Sequence, residues 1–133
     1  MKALVLTAGI LFAVSSLQAQ LQSSKERKLV REGNKMYQSG KYSDAETQYR
    51  KGLEESKSSV TSTFNLGDAL YKQGKYSEAE SQFQNLSSQK IDKKTMAEVY
   101  HNLGNTCMKA EKYQESVDAY KKSLLNNPDD NET

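Results

Sequence analysis

The 133-residue chain has no tryptophan, one proline, one histidine and one cysteine, and only 35% of it is hydrophobic. Each shortage closes off a class of protein. A lone cysteine cannot make an internal disulfide, so the chain is not a disulfide scaffold. The single histidine, His101, and the single cysteine, Cys107, stand six residues apart, about 600° around a helix and off a common face, which supports neither a Cys-His dyad nor a metal pair. Charges nearly cancel, at 19 basic against 17 acidic, so no electrostatic footprint for nucleic acid follows. No glycine-rich phosphate loop ending in Gly-Lys-Ser/Thr occurs, and acid pairs such as Glu54-Glu55 and Asp129-Asp130 read as solvated surface. No catalytic centre, cofactor or metal site is therefore expected. So little apolar material is lean for a spherical core but suits short amphipathic helices stacked in a row, each touching only its neighbours.

One apolar run stands apart. "MKALVLTAGILFAVSSLQAQ" places a positive charge at Lys2, an apolar stretch from Ala3 to Val14, then small and polar residues ending Leu17-Gln18-Ala19. That is the order of a secretory signal peptide over 1–19, with cleavage after Ala19. The stretch is short of the roughly 20 apolar residues a spanning helix needs, so the mature protein is expected to be exported without direct membrane insertion, periplasmic in a Gram-negative cell.

The rest of the chain repeats itself. "NLGDALYKQGKYSEAESQF" at 65–83 has a near copy in "REGNKMYQSGKYSDAETQY" and a looser one in "HNLGNTCMKAEKYQESVDAY". Gly33, Gly67 and Gly104 mark the register, at separations of 34 and 37 residues. A tyrosine follows nine later (Tyr42, Tyr76, Tyr113), a small residue twelve later (Ala45, Ala79, Ser116) and an aromatic sixteen later (Tyr49, Phe83, Tyr120). In the second copy Phe64, Leu66, Leu70 and Tyr71 share one helical face, Gly74 interrupts, and Ala79, Phe83 and Leu86 resume at intervals of four and three. Each unit thus reads as two amphipathic helices joined by a turn. Ser43 and Ser77 precede acidic residues and are expected to cap the second helices. Gly67 and Gly104, with Ala79 opposite, remove side chains where helices cross closely. Cys107 falls on a packed position and reads as filler, with an intermolecular disulfide or a redox role as the alternative.

The third copy departs in two places. Glu111 replaces the turn glycine found at Gly40 and Gly74, which implies either a turn without a positive φ or a strained one. Three extra residues in "SSQKIDKKTMAE" imply a longer loop or an extended helix start, with Asp92 as cap and Ile91 packing back over the second repeat; the basic residues Lys90, Lys93 and Lys94 leave a docking patch as the alternative. Asn85 and Asn131 match the glycosylation sequon, though Asn85 is expected inside a helix.

The period of 34, the Leu-Gly pair at 66–67 and 103–104, the small residue and the aromatic four after it resemble the tetratricopeptide repeat (TPR) family. Glu32 departs from the apolar residue usual before the glycine, as suits an outermost repeat. The resemblance implies an all-α solenoid of three helix-turn-helix repeats in a right-handed superhelix: repeats at 26–59, 60–93 and 97–130, a lead at 20–25, an insertion at 94–96 and a tail at 131–133. No polar capping element is visible after Pro128, so either the chain is a fragment of a longer one or the apolar side of the third repeat is covered by a partner or a second copy.

The resemblance further implies that the first helices line a concave groove for a protein or peptide partner. Matched position by position, the groove residues are Asn34, Tyr37, Gln38, Phe64, Asn65, Asp68, Tyr71, Lys72, Glu98, His101, Asn102, Asn105, Met108 and Lys109. One subclass clamps a peptide's terminal carboxylate between two asparagines and several basic residues. Asn34 and Asn65 match the asparagines, but Val30, Glu98 and Asn102 stand where the basic residues belong, so no such clamp is expected.

The signal-peptide ending and the phrasing of the first repeat also look like the periplasmic TPR components of bacterial aerotolerance (Bat) operons. That likeness implies partners among membrane-anchored von Willebrand A-type proteins of the same operon. The expected function is an exported, non-enzymatic adaptor or scaffold. Its rivals are self-association through an uncapped third repeat and a non-catalytic accessory role beside an envelope enzyme.

Overall fold

In a computed structural model, the described residues are 20, 21 and 23–127. The signal segment 1–19, Pro128, Asn131 and the tail 131–133 lie outside them. Among the described residues the chain forms six helices and no strand: α1 (23–38), α2 (Tyr42–Glu55), α3 (Val60–Lys72), α4 (Tyr76–Ser87), α5 (Lys93–Lys109) and α6 (Tyr113–Asn126). They pair as α1–α2, α3–α4 and α5–α6, and each pair packs on the next in a row, giving the all-α solenoid.

Each pair closes on one contact. A Cβ built on Gly67 would stand 2.7 Å from the ring of Phe83, one on Gly33 would stand 2.5 Å from Tyr49, and one on Gly104 would stand 2.6 Å from Tyr120. The glycines are therefore needed because the aromatic of the partner helix lies flat in the space a side chain would take. Ala45, Ala79 and Ser116 are fully buried beside it. Ser116 can replace alanine there because its hydroxyl donates to the Gly104 carbonyl at 2.8 Å, leaving no buried polar atom unpaired.

The turns inside the three pairs are built alike. The Lys41, Lys75 and Lys112 amides donate back to the Met36, Leu70 and Cys107 carbonyls at 2.9, 3.0 and 2.9 Å. The pivot residue is left-handed in all three, with φ of 74° at Gly40, 74° at Gly74 and 62° at Glu111. Glu111 therefore takes the strained alternative, since a Cβ makes that conformation costly. The turn geometry also corrects the expected caps. The second helices start earlier, at Tyr42 and Tyr76, with Lys41 and Lys75 as cap residues making no side-chain cap bond, so Ser43 and Ser77 sit inside the first turn. Rings hold these entries instead: Tyr42 meets Tyr37 edge to face at 5.1 Å, and Tyr76 meets Tyr71 at 5.6 Å.

At α5 the extra residues extend the helix. It runs 17 residues against 13 in α3, and Asp92 caps it by accepting from the Thr95 amide at 2.9 Å, while Ile91 packs on the core. Asn85 lies within α4. Cys107 is buried, and that burial raises its thiol pKa, as fits packing filler and not a reactive thiolate.

Ion pairs latch one repeat to the next. Glu46 on α2 accepts from Lys75 at 2.9 Å and Gln73 at 2.8 Å, both from the second repeat, and from Arg50 of its own helix. Glu80 on α4 accepts from Lys112 of the third repeat at 2.7 Å. Val117 occupies the equivalent place on α6, and that helix presents Tyr113, Val117, Leu124 and Leu125 at 60%, 43%, 61% and 77% exposure. Burial pushes the Glu46 pKa up, but hydrogen bonds from Lys75, Gln73 and Arg50 more than offset it and bring the group to about 2. Its contribution to stability is therefore present above the ordinary carboxylate range and is lost only as pH falls toward 2.

Two glycine exchanges probe this frame in opposite directions. Gly67→Ala gains up to ~1 kcal/mol of helix propensity but overpacks a fully buried ring, a cost of about 1–3 kcal/mol, so net destabilisation of about 1–2 kcal/mol is expected in urea unfolding. Glu111→Gly relieves the left-handed strain and should stabilise by about 0.5–1 kcal/mol in the same measurement.

Candidate groove across the first helices

Helices α1, α3 and α5 stand side by side, and their facing polar side chains bond across the joints. The Asn65 amide donates to Asn34 Oδ1 at 3.1 Å, and the Asn102 amide donates to Asp68 Oδ1 at 2.8 Å. These bonds align a surface with two adjoining hollows. The first, of about 110 Å³, is lined by Asn34, Tyr37, Gln38, Tyr49, Asn65 and Asp68. The second, of about 240 Å³, is lined by Tyr37, Asp68, Tyr71, Lys72, Phe83, Asn102, Asn105 and Thr106. Tyr37 and Asp68 belong to both and form the ridge between them.

Nine of the residues singled out from the sequence therefore meet here: Asn34, Tyr37, Gln38, Asn65, Asp68, Tyr71, Lys72, Asn102 and Asn105. The other five line neither hollow. Phe64 packs on Phe83 at 5.7 Å between ring centres, and His101 holds the equivalent place against Tyr120, also at 5.7 Å. Glu98, Met108 and Lys109 are exposed along α5. Conversely, Tyr49, Phe83 and Thr106 contribute lining that sequence reasoning assigned to packing or passed over. The signal was available for the rings, because an aromatic lying over a glycine shows its edge on the far side of that helix.

The electrostatics centre on Asp68. Burial pushes its carboxyl up to about 6, against a hydrogen bond from Asn102 and the nearby Lys72 charge, which both pull it down. Tyr49 is raised to about 12, first by burial and then by Tyr37 and Asp68, and Tyr37 is raised first by burial and then by Asp68 and Tyr42. The phenols thus stay neutral hydrogen-bonding groups. Among the described residues no three histidine, cysteine or acidic side chains cluster as metal ligands, and no helix is long and apolar enough to cross a membrane.

Residues 30–87 and 97–130 each match a tetratricopeptide repeat family model. The chain belongs to the tetratricopeptide repeat family. Solved TPR structures agree in fold. The N-terminal domain of stress-induced protein-1 from C. elegans superposes with a TM-score of 0.72 at 19% identity, over 81% of this chain and 90% of that one. The first TPR of Spaghetti (RPAP3), bound to the HSP90 peptide SRMEEVD, gives 0.69 at 25% identity, over 80% and 82%. The TPR2AB domain of yeast Sti1, in a pHSP90 complex, gives 0.72 at 27% identity; the match covers 79% of this chain and 42% of that one. No curated protein matches the chain.

In this TPR array the Asp68 charge is held against its own preference, which makes a stability test possible. Because its folded pKa lies above the unfolded one, the strain is absent below about pH 4 and complete above about pH 6. Asp68→Asn should therefore stabilise the protein by about 1–3 kcal/mol in urea unfolding at pH 7 and leave it nearly unchanged at pH 4.

Proposed function

We propose that the chain is an adaptor that holds an extended segment of another protein along the groove of α1, α3 and α5. The observation that carries this reading is the row of amide and phenol groups, Asn34, Asn65, Asn102, Asn105 and Tyr37, aligned across three repeats beside two hollows. Asparagine amides offer both a donor and an acceptor, which matches the alternating groups of an extended backbone. Two proteins of the same fold support it, the first TPR of Spaghetti (RPAP3) bound to an HSP90 peptide and the TPR2AB domain of yeast Sti1 in its pHSP90 complex. The role that these amides and phenols support is recognition.

The ligand differs in kind from an acidic carboxy-terminal peptide. Val30 is buried, Glu98 is acidic and Asn102 is committed to Asp68, so the positions of the family's basic clamp supply no cation. Export, and a place in an envelope complex with von Willebrand A-type partners, are further proposals that rest on the order of residues 2–19 and the phrasing of the first repeat. Self-association is a second reading, favoured by the apolar stripe of Tyr113, Val117 and Leu124 on α6, which a second copy could cover.

The groove is tested by crosslinking in the native cell followed by mass spectrometry. Asn65→Ala with Tyr71→Ala should abolish at least one captured partner while leaving the circular dichroism spectrum intact. If every partner persists, the groove reading falls. An SRMEEVD peptide is expected to bind no better than the same peptide with an amidated carboxy terminus.

A further inference from the structure

The three repeats contain their own control experiment. The residue after the register glycine is Asn34, Asp68 or Asn105, and the ring over that glycine is Tyr49, Phe83 or Tyr120. In the outer repeats the phenol hydroxyl donates to the asparagine, Tyr49 to Asn34 Oδ1 at 2.7 Å and Tyr120 to Asn105 Oδ1 at 2.6 Å. In the middle repeat both partners change together: the hydroxyl is gone, and a carboxylate stands where the amide was. Asp68 keeps one bond, from Asn102 on α5 to Oδ1, which fixes the side chain; among the described residues its second oxygen accepts no hydrogen bond.

We propose that the hollow between α3 and α5 receives a single basic side chain, lysine or arginine, presented by the segment lying in the groove. This rests on the groove reading and adds the chemistry of the ligand. The hollow joins one carboxylate to the rings of Tyr37, Tyr71 and Phe83, and that combination satisfies a cation through charge and through the aromatic faces. Its volume of about 240 Å³ falls below the roughly 300–1,000 Å³ of small-molecule sites, and suits one side chain. An acidic group would meet Asp68 with like charge, and an apolar one would seal the carboxylate away from water without a partner.

The nearest basic residue, Lys72, lies one turn along α3, is exposed, and makes no ion pair with Asp68. It guards the mouth and weakens the attraction without occupying the site. The groups that face Asp68 are Tyr37 from α1, Tyr49 from α2, Lys72 on its own helix and the neutral Asn102 from α5. A cation entering the hollow favours the ionised carboxylate, so occupancy releases a proton.

The test uses the chain from Gln20 to Thr133 immobilised against a displayed library of random twelve-residue peptides. The retained pool should be at least threefold enriched in lysine and arginine. Asp68→Asn should still retain peptides but lose that enrichment, and Lys72→Ala should increase it. For an enriched peptide followed by fluorescence polarisation, the wild-type affinity should fall about tenfold from pH 7.5 to pH 5. The Asp68→Asn affinity should change less than about twofold; His101 is common to both proteins, so the difference belongs to Asp68. A wild-type pool without basic enrichment, yet lost on Asn65→Ala with Tyr71→Ala, overturns the cation site and leaves the groove. A pool indifferent to those substitutions, or no retained pool, overturns both.

Discussion

Each repeat is closed by a ring laid on a glycine, and the rest of the architecture is arranged around it. Tyr49, Phe83 and Tyr120 each cover a backbone surface that any Cβ would block. That contact sets how near the two helices of a repeat come, and hence where the first helix of the next repeat must sit. It also sends the edge of the ring through to the groove side, where Tyr49 and Phe83 line hollows. One residue therefore serves packing on one face and recognition on the other, and the Tyr-to-Phe difference between repeats has consequences in both places.

The repeats are joined by two chemically distinct seams. On one side, glutamates of the second helices take lysines from the following turn, Glu46 with Lys75 and Glu80 with Lys112. On the other, amides of the first helices bond across the groove, Asn65 with Asn34 and Asn102 with Asp68. The first seam is ionic and largely enclosed on the acid side, and its Glu46 link survives to low pH because that carboxyl is depressed. The second is neutral except at Asp68. Placing a charge that its surroundings disfavour, Asp68, in the middle of the groove separates what stabilises the stack from what is available to a ligand.

Much of the fold was legible because the period of 34 and the Gly, Ala and aromatic spacing are direct records of packing. The capping serines were misread for a local reason. A left-handed residue at Gly40 or Gly74 reverses the chain so tightly that the helix begins at once, and Ser43 and Ser77 are overtaken by it. Glu111 shows the converse: the tertiary frame imposes the same turn even where the residue resists it. The groove was legible in outline, since nine residues converge on the hollows. Phe64 and His101 were harder to place, because a position's helical phase does not tell whether a neighbouring ring will claim it. The pairing of Asp68 with Phe83 against Asn-Tyr in the outer repeats was visible in the sequence, but it acquired meaning only when the phenol-to-amide bonds gave the two positions a shared purpose.

Val117 interrupts the row of glutamates that begins with Glu46 and Glu80. The first repeat is tied forward through Glu46, and through Glu26, which takes hydroxyl bonds from Ser59 and Ser62 at 2.6 Å each. The middle repeat is tied on both sides, through Glu46 to Lys75 and Glu80 to Lys112, whereas α6 is held to α5 by hydroxyl bonds from Ser116 to Gly104, Tyr120 to Asn105 and Ser123 to Ala97. Cys107 lies on α5 and lines a hollow with Glu115 and Ala119 of α6, so any separation of α6 from α5 uncovers the chain's single thiol. The buried filler is thus also a reporter: its chemical labelling reads the separation of one pair of helices.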